Sequence, residues 1–347
     1  MKDLSERRAL TLLPGLLAEL GLPARLEQLK ARDLGADALF HTGKLTLAVE
    51  VKSSGAAASI AAAVDQLRRY TSTHRRSVPV VAVPYMGSVG QRICERADVS
   101  WIDLSGNAHI VAPGVRIHVE GRPNKFKSLG RPSSVFAPKS ARIVRWLLIH
   151  FERSFAIREL ARATAMDAGF TSRIVARLVQ DQLVVREESG AVRGRDPNLL
   201  LEAWHEAYDF SGHNITKGHI AARTSEGLVA DVADKLTGLD LDHAVTGLSA
   251  AWLLARFAGF RTATFFVRAP LDARVLNALT FREDPRGANV WLVVPNDEGV
   301  FHGASAHQGI RCAHPVQIYL DLKGHPERAA EAAANLREHL FTRGRDG

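Results

Sequence analysis

The chain has 347 residues, of which 46% are hydrophobic and 24% charged, with a net charge of +8 at pH 7. That length exceeds what one hydrophobic core usually fills and predicts two or three domains, while the ordinary composition excludes a disordered or fibrous protein. No apolar run reaches bilayer length, no secretion signal opens the chain, and Cys94 and Cys312 show no metal-ligand spacing, so a reduced cytoplasmic protein without disulfides is expected.

The charge is unevenly placed. Residues 121–195 hold fifteen Lys or Arg against six Asp or Glu, a balance of +9 that leaves the other 272 residues at −1. A surplus confined to one segment points to a polyanion partner there.

In chain order, Leu4–Leu20 has helical spacing and stops at Gly21. Arg25–Lys30 reads as a first strand, and Ala36–Phe40 as a second, joined by a tight turn at His41–Gly43 to the stretch Lys44–Lys52. There Leu45, Leu47, Val49 and Val51 alternate with Lys44, Thr46, Ala48, Glu50 and Lys52, which predicts a strand with one buried face. Antiparallel pairing brings Asp37 beside Glu50. Two carboxylates and a lysine at one strand pair make a hard, oxygen-rich pocket suited to a divalent cation. The plainer alternative is an edge strand with a solvated Glu–Lys pair. An alanine-rich helix, Ala56–His74, carries Gln66. Val78–Val83 reads as a strand covered on both faces, followed by a helix at Ser88–Arg96 and strands at Ser100–Leu104, Ala108–Val111 and Val115–Val119. Alternating strands and helices imply an α/β sheet over residues 1–121.

Residues 122–138 are rich in Pro, Gly, Ser and basic side chains and read as a linker, either solvated or touching phosphates. Residues 139–197 have the layout of a winged helix. Ala141–His150 and Ile157–Ala163 are helices, Thr164–Gly169 is the turn with Gly169 supplying a positive φ, and Phe170–Gln180 is the third helix. Phe170, Ile174, Val175 and Leu178 are expected inside, which leaves Thr171, Ser172, Arg173 and Arg177 for a major groove. Leu183–Arg186, the Glu187–Gly190 turn and Ala191–Arg195 form the wing, with Arg193 and Arg195 in reach of phosphates or a minor groove. The competing reading is a helical protein-interaction domain with solvated arginines. Residues 198–347 read as a further α/β domain: helices at Leu199–Tyr208, Thr246–Ala255 and Pro326–Leu340, strands at Thr262–Val267 and Asn289–Val294, and a strand or short helix at Val316–Leu322. His302, His307, His314 and His325 match no standard metal spacing and are expected on loops. No phosphate-loop fingerprint is present.

Asp37 with Glu50-Val-Lys52, followed by a helix bearing Gln66, resembles the PD-(D/E)XK nuclease superfamily. That resemblance implies a restriction-endonuclease-like N-terminal domain in which Asp37, Glu50 and the Val51 carbonyl hold Mg²⁺ or Mn²⁺, while Lys52 and Gln66 complete the catalytic set. Trp101–Asn107, the winged helix, Asp196–Trp204 and Pro315–Leu322 together resemble the bacterial AbiEi-like family, named after antitoxins of type IV toxin–antitoxin systems. It implies a winged-helix repressor at the nucleoid that binds inverted repeats through Thr171–Arg177, with a cognate toxin as a further partner. The expected architecture is α/β: a nuclease-like domain, a central winged helix-turn-helix and a C-terminal α/β domain. Two functions follow. The first is a Mg²⁺-dependent endodeoxyribonuclease with duplex DNA delivered by the winged helix; the second is a transcriptional repressor or antitoxin with a non-catalytic first domain. A homodimer is expected in either case, since duplex sites are often twofold.

Overall fold

The computed structural model describes residues 2–28, 35–43, 45–126, 135–257, 259–268 and 270–341. Two compact units are present: Met1–Pro132 with Gln180–Leu183, and Ser133–Val179 with Val184–Gly347.

In the first unit, helix α1 (Lys2–Glu19) precedes strands β1 (Arg25–Gln28), β2 (Ala38–Thr42) and β3 (Leu45–Val51). Helix α2 (Ala57–Thr73), strand β4 (Ser77–Val83), helix α3 (Ser88–Arg96) and strands β5 (Ser100–Asp103), β6 (Ala108–Ala112) and β7 (Val115–Val119) follow. Among the described residues the strands join in chain order into one seven-stranded sheet. It is antiparallel from β1 to β3, parallel from β3 to β5, and antiparallel again to β7. Leu10, Leu13 and Leu17 of α1 pack with Phe40, Leu47, Val49, Val80 and Ile110. Ile60, Val64 and Leu67 of α2 and Cys94 of α3 pack with Ala48, Val81, Val83 and Trp101 in a second cluster. Successive strand residues point to opposite faces, so the two clusters cover the two faces of the sheet.

This corrects the reading of β3. Its alternation predicts one buried face, yet it is buried from Leu47 to Val51 because it lies between β2 and β4 and α2 packs over the side that carries Ala48. The turn before it also shifts: Thr42 pairs with Leu45, so β2 runs past His41 and the reversal falls at Gly43, whose φ of +57° suits glycine. Lys44 lies outside the described residues, as do Leu29–Lys30 at the end of the expected first strand and residues 127–134 of the expected linker.

Asp103 ties the far end of this unit together. Its carboxylate accepts from the Met86, Gly106 and Asn107 backbone N–H groups at 3.1, 2.8 and 2.9 Å and from Asn107 Nδ2 at 2.9 Å. Asn107 in turn brackets the Arg122 backbone, donating to its carbonyl at 3.0 Å and accepting its N–H at 2.8 Å. The Trp101–Asn107 stretch is thus a structural joint. Asp103→Ala leaves several buried donors without partners and is expected to cost about 3 kcal/mol. Urea denaturation followed by tryptophan fluorescence checks it, and a loss below about 1 kcal/mol would show that water replaces the carboxylate.

The second unit opens with α4 (Ala141–Ile149), α5 (Ile157–Ala163), α6 (Ala168–Gln180) and a hairpin of β8 (Val184–Arg186) and β9 (Val192–Gly194). Phe155 bridges Val192 as a third wing segment. Next come α7 (Pro197–Ala207), β10 (Asn214–His219), α8 (Ser225–Gly238), β11 (His243–Thr246), α9 (Gly247–Ala255), β12 (Ala263–Val267) and α10 (Ala273–Ala278). The unit ends with β13 (Arg282–Glu283), β14 (Val290–Val294), β15 (Ser305–His307), β16 (Ile310–Cys312), α11 (Pro315–Asp321) and α12 (Ala329–His339). Among the described residues its sheet has the order β13-β10-β14-β12-β11-β16-β15, with β12 parallel to β14 and β11 parallel to β16. The segment left open between strand and helix, Val316–Leu322, is helical. The boundary drawn at Pro197 falls inside this unit, at the start of α7, where the Asp196 carboxylate caps the Asn198 and Leu199 N–H groups.

The histidines expected on loops are largely packed. His325 is buried between the Phe210 and Trp291 rings, with centroids at 5.0 and 4.9 Å. His314 caps α11 by accepting the Val316 N–H at 3.2 Å. Among the described residues no group of three or more His, Cys, Asp or Glu is placed to hold a metal.

Candidate functional site

The first unit gathers the acidic residues. The Asp37 N–H donates to the Val49 carbonyl at 2.9 Å and Ala38 pairs with Val49, which sets Asp37 across from Glu50. Asp37 Oδ2 accepts the Val51 N–H at 2.7 Å. Glu50 is only 3% exposed; its Oε1 accepts from Lys52 Nζ at 2.5 Å, and its Oε2 is buried with no hydrogen-bond partner among the described residues. Lys52 Nζ also lies 3.4 Å from Gln66 Oε1 on α2. Asp37, Glu50, Val51, Lys52 and Gln66 therefore meet at one place.

Electrostatics decide what this place attracts. Burial pushes the Glu50 carboxyl up to about 7; the Lys52 ammonium opposes that rise and the Asp37 charge adds to it. Two carboxylates against one ammonium leave a net negative charge in a desolvated setting. The cheapest relief is a proton or a further cation. Hard oxygen donors, one of them an unsatisfied buried Glu50 oxygen, fit a divalent ion of the Mg²⁺ or Mn²⁺ class.

The winged helix presents a different chemistry. Ser172, Arg173 and Arg177 are exposed on α6, and Arg195 is exposed just past β9. Thr171 is not among them: it is fully buried, and its hydroxyl donates to the Asp167 carbonyl at 2.9 Å. That bond to the residue four positions back lets threonine fill a core position, so Thr171 is removed from the groove-facing set. Phe170 is half-buried rather than fully inside, with the Arg173 guanidinium and the Lys139 ammonium each 5.9 Å from its ring centre. The turn also differs. Gly169 belongs to α6, and the positive φ falls on Ala165, at 51°. Asp167 starts the helix by accepting the Phe170 N–H at 2.9 Å.

In the wing, Arg193 pairs with Glu187 at 3.3 Å, both side chains being near half-exposed. Such a pair is worth little in water and is readily exchanged for a phosphate. Arg186, absent from the sequence-predicted set, is exposed on β8 and donates to the Gly190 carbonyl at 3.0 Å. Two cations of the basic segment turn inward instead. Arg142 pairs with Asp297 at 2.8 Å, and Arg145 is buried against Gln317 and Trp204. The surface surplus of this segment is therefore smaller than its sequence balance.

Residues 137–193 match the model of the MarR family. Residues 192–342 match the model of a family described as a transcriptional regulator, the AbiEi antitoxin of type IV toxin–antitoxin systems. No curated protein and no solved structure matches the chain. Among the described residues no helix is long and apolar enough to cross a membrane. The chain thus joins a winged helix, with its wing at residues 184–194, to a stretch similar to AbiEi-type regulators, behind a separate mixed α/β unit.

Proposed function

We propose that the chain is a transcriptional regulator of the AbiEi-antitoxin type that binds duplex DNA through its winged helix. The observation that carries this reading is the exposed face of α6, where Ser172, Arg173 and Arg177 stand clear of the core within a segment that matches the MarR family, directly ahead of the stretch that matches a transcriptional regulator. Arg173 and Arg177 are one helical turn apart, so both reach one groove, where a guanidinium forks onto the O6 and N7 acceptors of guanine. Arg193 and Arg195 lie on phosphates at the flank and fix the register without reading sequence. A homodimer at the nucleoid of the cytoplasm would place two such helices on an inverted repeat, and a cognate toxin would be the regulated partner.

The test is a mobility shift on the DNA upstream of the chain's own coding sequence. Arg173→Ala and Arg177→Ala are each expected to weaken binding by about 1–3 kcal/mol and to relax base preference. Arg195→Ala should weaken all sequences alike and lower the salt slope by about one. Unchanged affinity in Arg173→Ala and Arg177→Ala together would sink the assignment of α6.

A second reading is favoured by one observation, the convergence of Asp37, Glu50, Lys52 and Gln66. The element order of the first unit and this cluster support a restriction-endonuclease-like domain that cleaves DNA phosphodiesters. Asp37, Glu50 and the Val51 carbonyl would hold Mg²⁺ or Mn²⁺, an ion that when bound lowers the pKa of a water and polarises a phosphoryl oxygen. Lys52 would donate to the scissile phosphate and offset its developing charge, with Gln66 holding the ammonium in place. Burial of Glu50 keeps bulk water from competing for these groups. Supercoiled plasmid incubated with the full chain in Mg²⁺, Mn²⁺ or EDTA separates the readings: metal-dependent nicking selects the enzyme, and a shift without nicking selects a regulator alone.

A further inference from the structure

The second unit holds a cavity of about 640 Å³ whose wall includes the end of the first helix of the winged helix. That volume lies within the range of small-molecule sites. Leu148 and Ile149 at the end of α4 form one wall, and Leu254 of α9 and Leu336 of α12 form others. Aliphatic walls of this kind favour an apolar occupant. Phe257, one of the lining residues, is 43% exposed, with the Arg328 guanidinium 5.8 Å from its ring centre. The chain after Phe341, Thr-Arg-Gly-Arg-Asp-Gly, carries no large apolar side chain and is a poor match for these walls.

Among the described residues the lining holds no Asp, Glu, Lys or Arg, and its polar side chains are His307, His314, Asn335 and His339. His314 lines the cavity, and its Nδ1 accepts the Val316 N–H, which fixes the ring proton on Nε2 as a donor. Burial keeps that ring neutral, pulling its pKa down to about 4. Asn335 also lines the cavity and is half-buried, so its amide is available to an occupant. A neutral donor and an amide in an apolar pocket suit a neutral acceptor better than a charged one.

We propose that this cavity is an effector site for a neutral apolar molecule bearing a carbonyl or hydroxyl oxygen. Its occupancy acts on the winged helix through α4, which is both a wall of the cavity and the first helix of that motif; this second part rests on the DNA-binding reading above. The full chain titrated with the neutral naphthyl ketone prodan should show a saturable, blue-shifted emission at one site per chain. Ala255→Trp, which places an indole at an exposed position on the rim, is expected to weaken binding at least tenfold. His314→Asn keeps an acceptor for the α11 cap but removes the ring donor, and should weaken it at least threefold. Saturating prodan should also change affinity for upstream DNA at least threefold in the parent and not in Ala255→Trp.

Non-saturable emission, or equal binding by Ala255→Trp, overturns the site. Binding without any change in DNA affinity overturns the effector role. A chain that binds prodan in the Ala255-sensitive manner but no DNA at all supports the site and refutes the regulator reading instead.

Discussion

Glu50→Gln is expected to raise the thermal stability of the first unit at pH 8 while abolishing any metal-dependent cleavage by it. The parent buries a carboxylate with one oxygen unsatisfied, and burial lifts its pKa from 4.5 to about 7. A raised folded pKa means that the native state holds the proton more tightly than the unfolded chain. Its favourable contribution is therefore complete below about pH 4.5 and is lost as pH rises through about 7. At pH 8 the ionised group costs the fold on the order of 3 kcal/mol, taking about 1.4 kcal/mol per pKa unit over a rise that already includes the Lys52 pair. Glutamine keeps an acceptor for Lys52 and supplies a donor toward Asp37, so the penalty disappears without leaving a cavity. Calorimetry in EDTA from pH 5 to 8 should show the variant gaining on the parent as pH rises. A constant difference across that range, or a variant less stable at pH 8, would show that Lys52 already neutralises the site. In Mg²⁺ the same variant should nick plasmid about a thousandfold more slowly or not at all, since an uncharged ligand holds a divalent ion several kcal/mol less well. Affinity for upstream DNA should be untouched. Stability gained where function is lost is the usual mark of a site whose charges serve something other than folding.

The pairing of Asp37 with Glu50 is legible in the sequence because period-two alternation and a short turn fix a hairpin register, and a slip by one residue would turn every side chain over. The covering of β3 by α2 is not legible, since it depends on long-range packing; the same strand pattern suits an edge or a centre. In the winged helix the spacing locates α4 and α5 almost to the residue, yet Thr171 misleads. Thr171, Ile174, Val175 and Leu178 form one buried stripe in which a threonine stands where an aliphatic residue is expected, its hydroxyl satisfied locally. β10, Asn-Ile-Thr-Lys-Gly-His, has too few apolar residues to announce a strand, although it pairs on both sides. α8 is different: Leu228, Val229, Val232, Ala233 and Leu236 carry a plain helical period behind a Thr224 cap. Summed charge is the weakest guide. Arg142 and Arg145 count toward a basic surface in sequence, and their partners Asp297 and Gln317 lie more than 150 residues away.

Arg145→Ala is expected to produce the largest stability loss in the second unit. Arg145 on α4 is fully enclosed and donates twice to Gln317 Oε1, at 3.0 and 2.7 Å, with its guanidinium 4.9 Å from the Trp204 ring centre. Gln317 relays that charge by donating to Asp321 Oδ1 at 2.7 Å, and the Tyr208 and Thr246 hydroxyls each donate to Asp321 at 2.5 Å. Burial acts on both ends, drawing the Arg145 pKa down to about 10 and lifting Asp321 to about 7. The Asp321 charge is favoured first by the Thr246, Tyr208 and Gln317 hydrogen bonds and then by Arg145, and Arg145 is favoured by Asp297 as well as by Asp321. Even the backbone makes room: a Cβ at Gly299 would stand 2.5 Å from Arg145 Nη1. Truncating Arg145 removes the nearby cation from buried Asp321 and leaves Gln317 Oε1 without its two donors, a loss of about 3–5 kcal/mol. Arg145→Met alone should lose nearly as much, because it restores volume and not charge. Combined with Asp321→Asn it should recover about 1–3 kcal/mol of the summed single losses, since the double variant buries no ion. Urea denaturation of the four proteins completes the cycle, and strictly additive losses would show that Arg145 and Asp321 are held independently. Because α4 carries Arg145 into the winged helix, the single variants should also weaken DNA binding more than the double variant does.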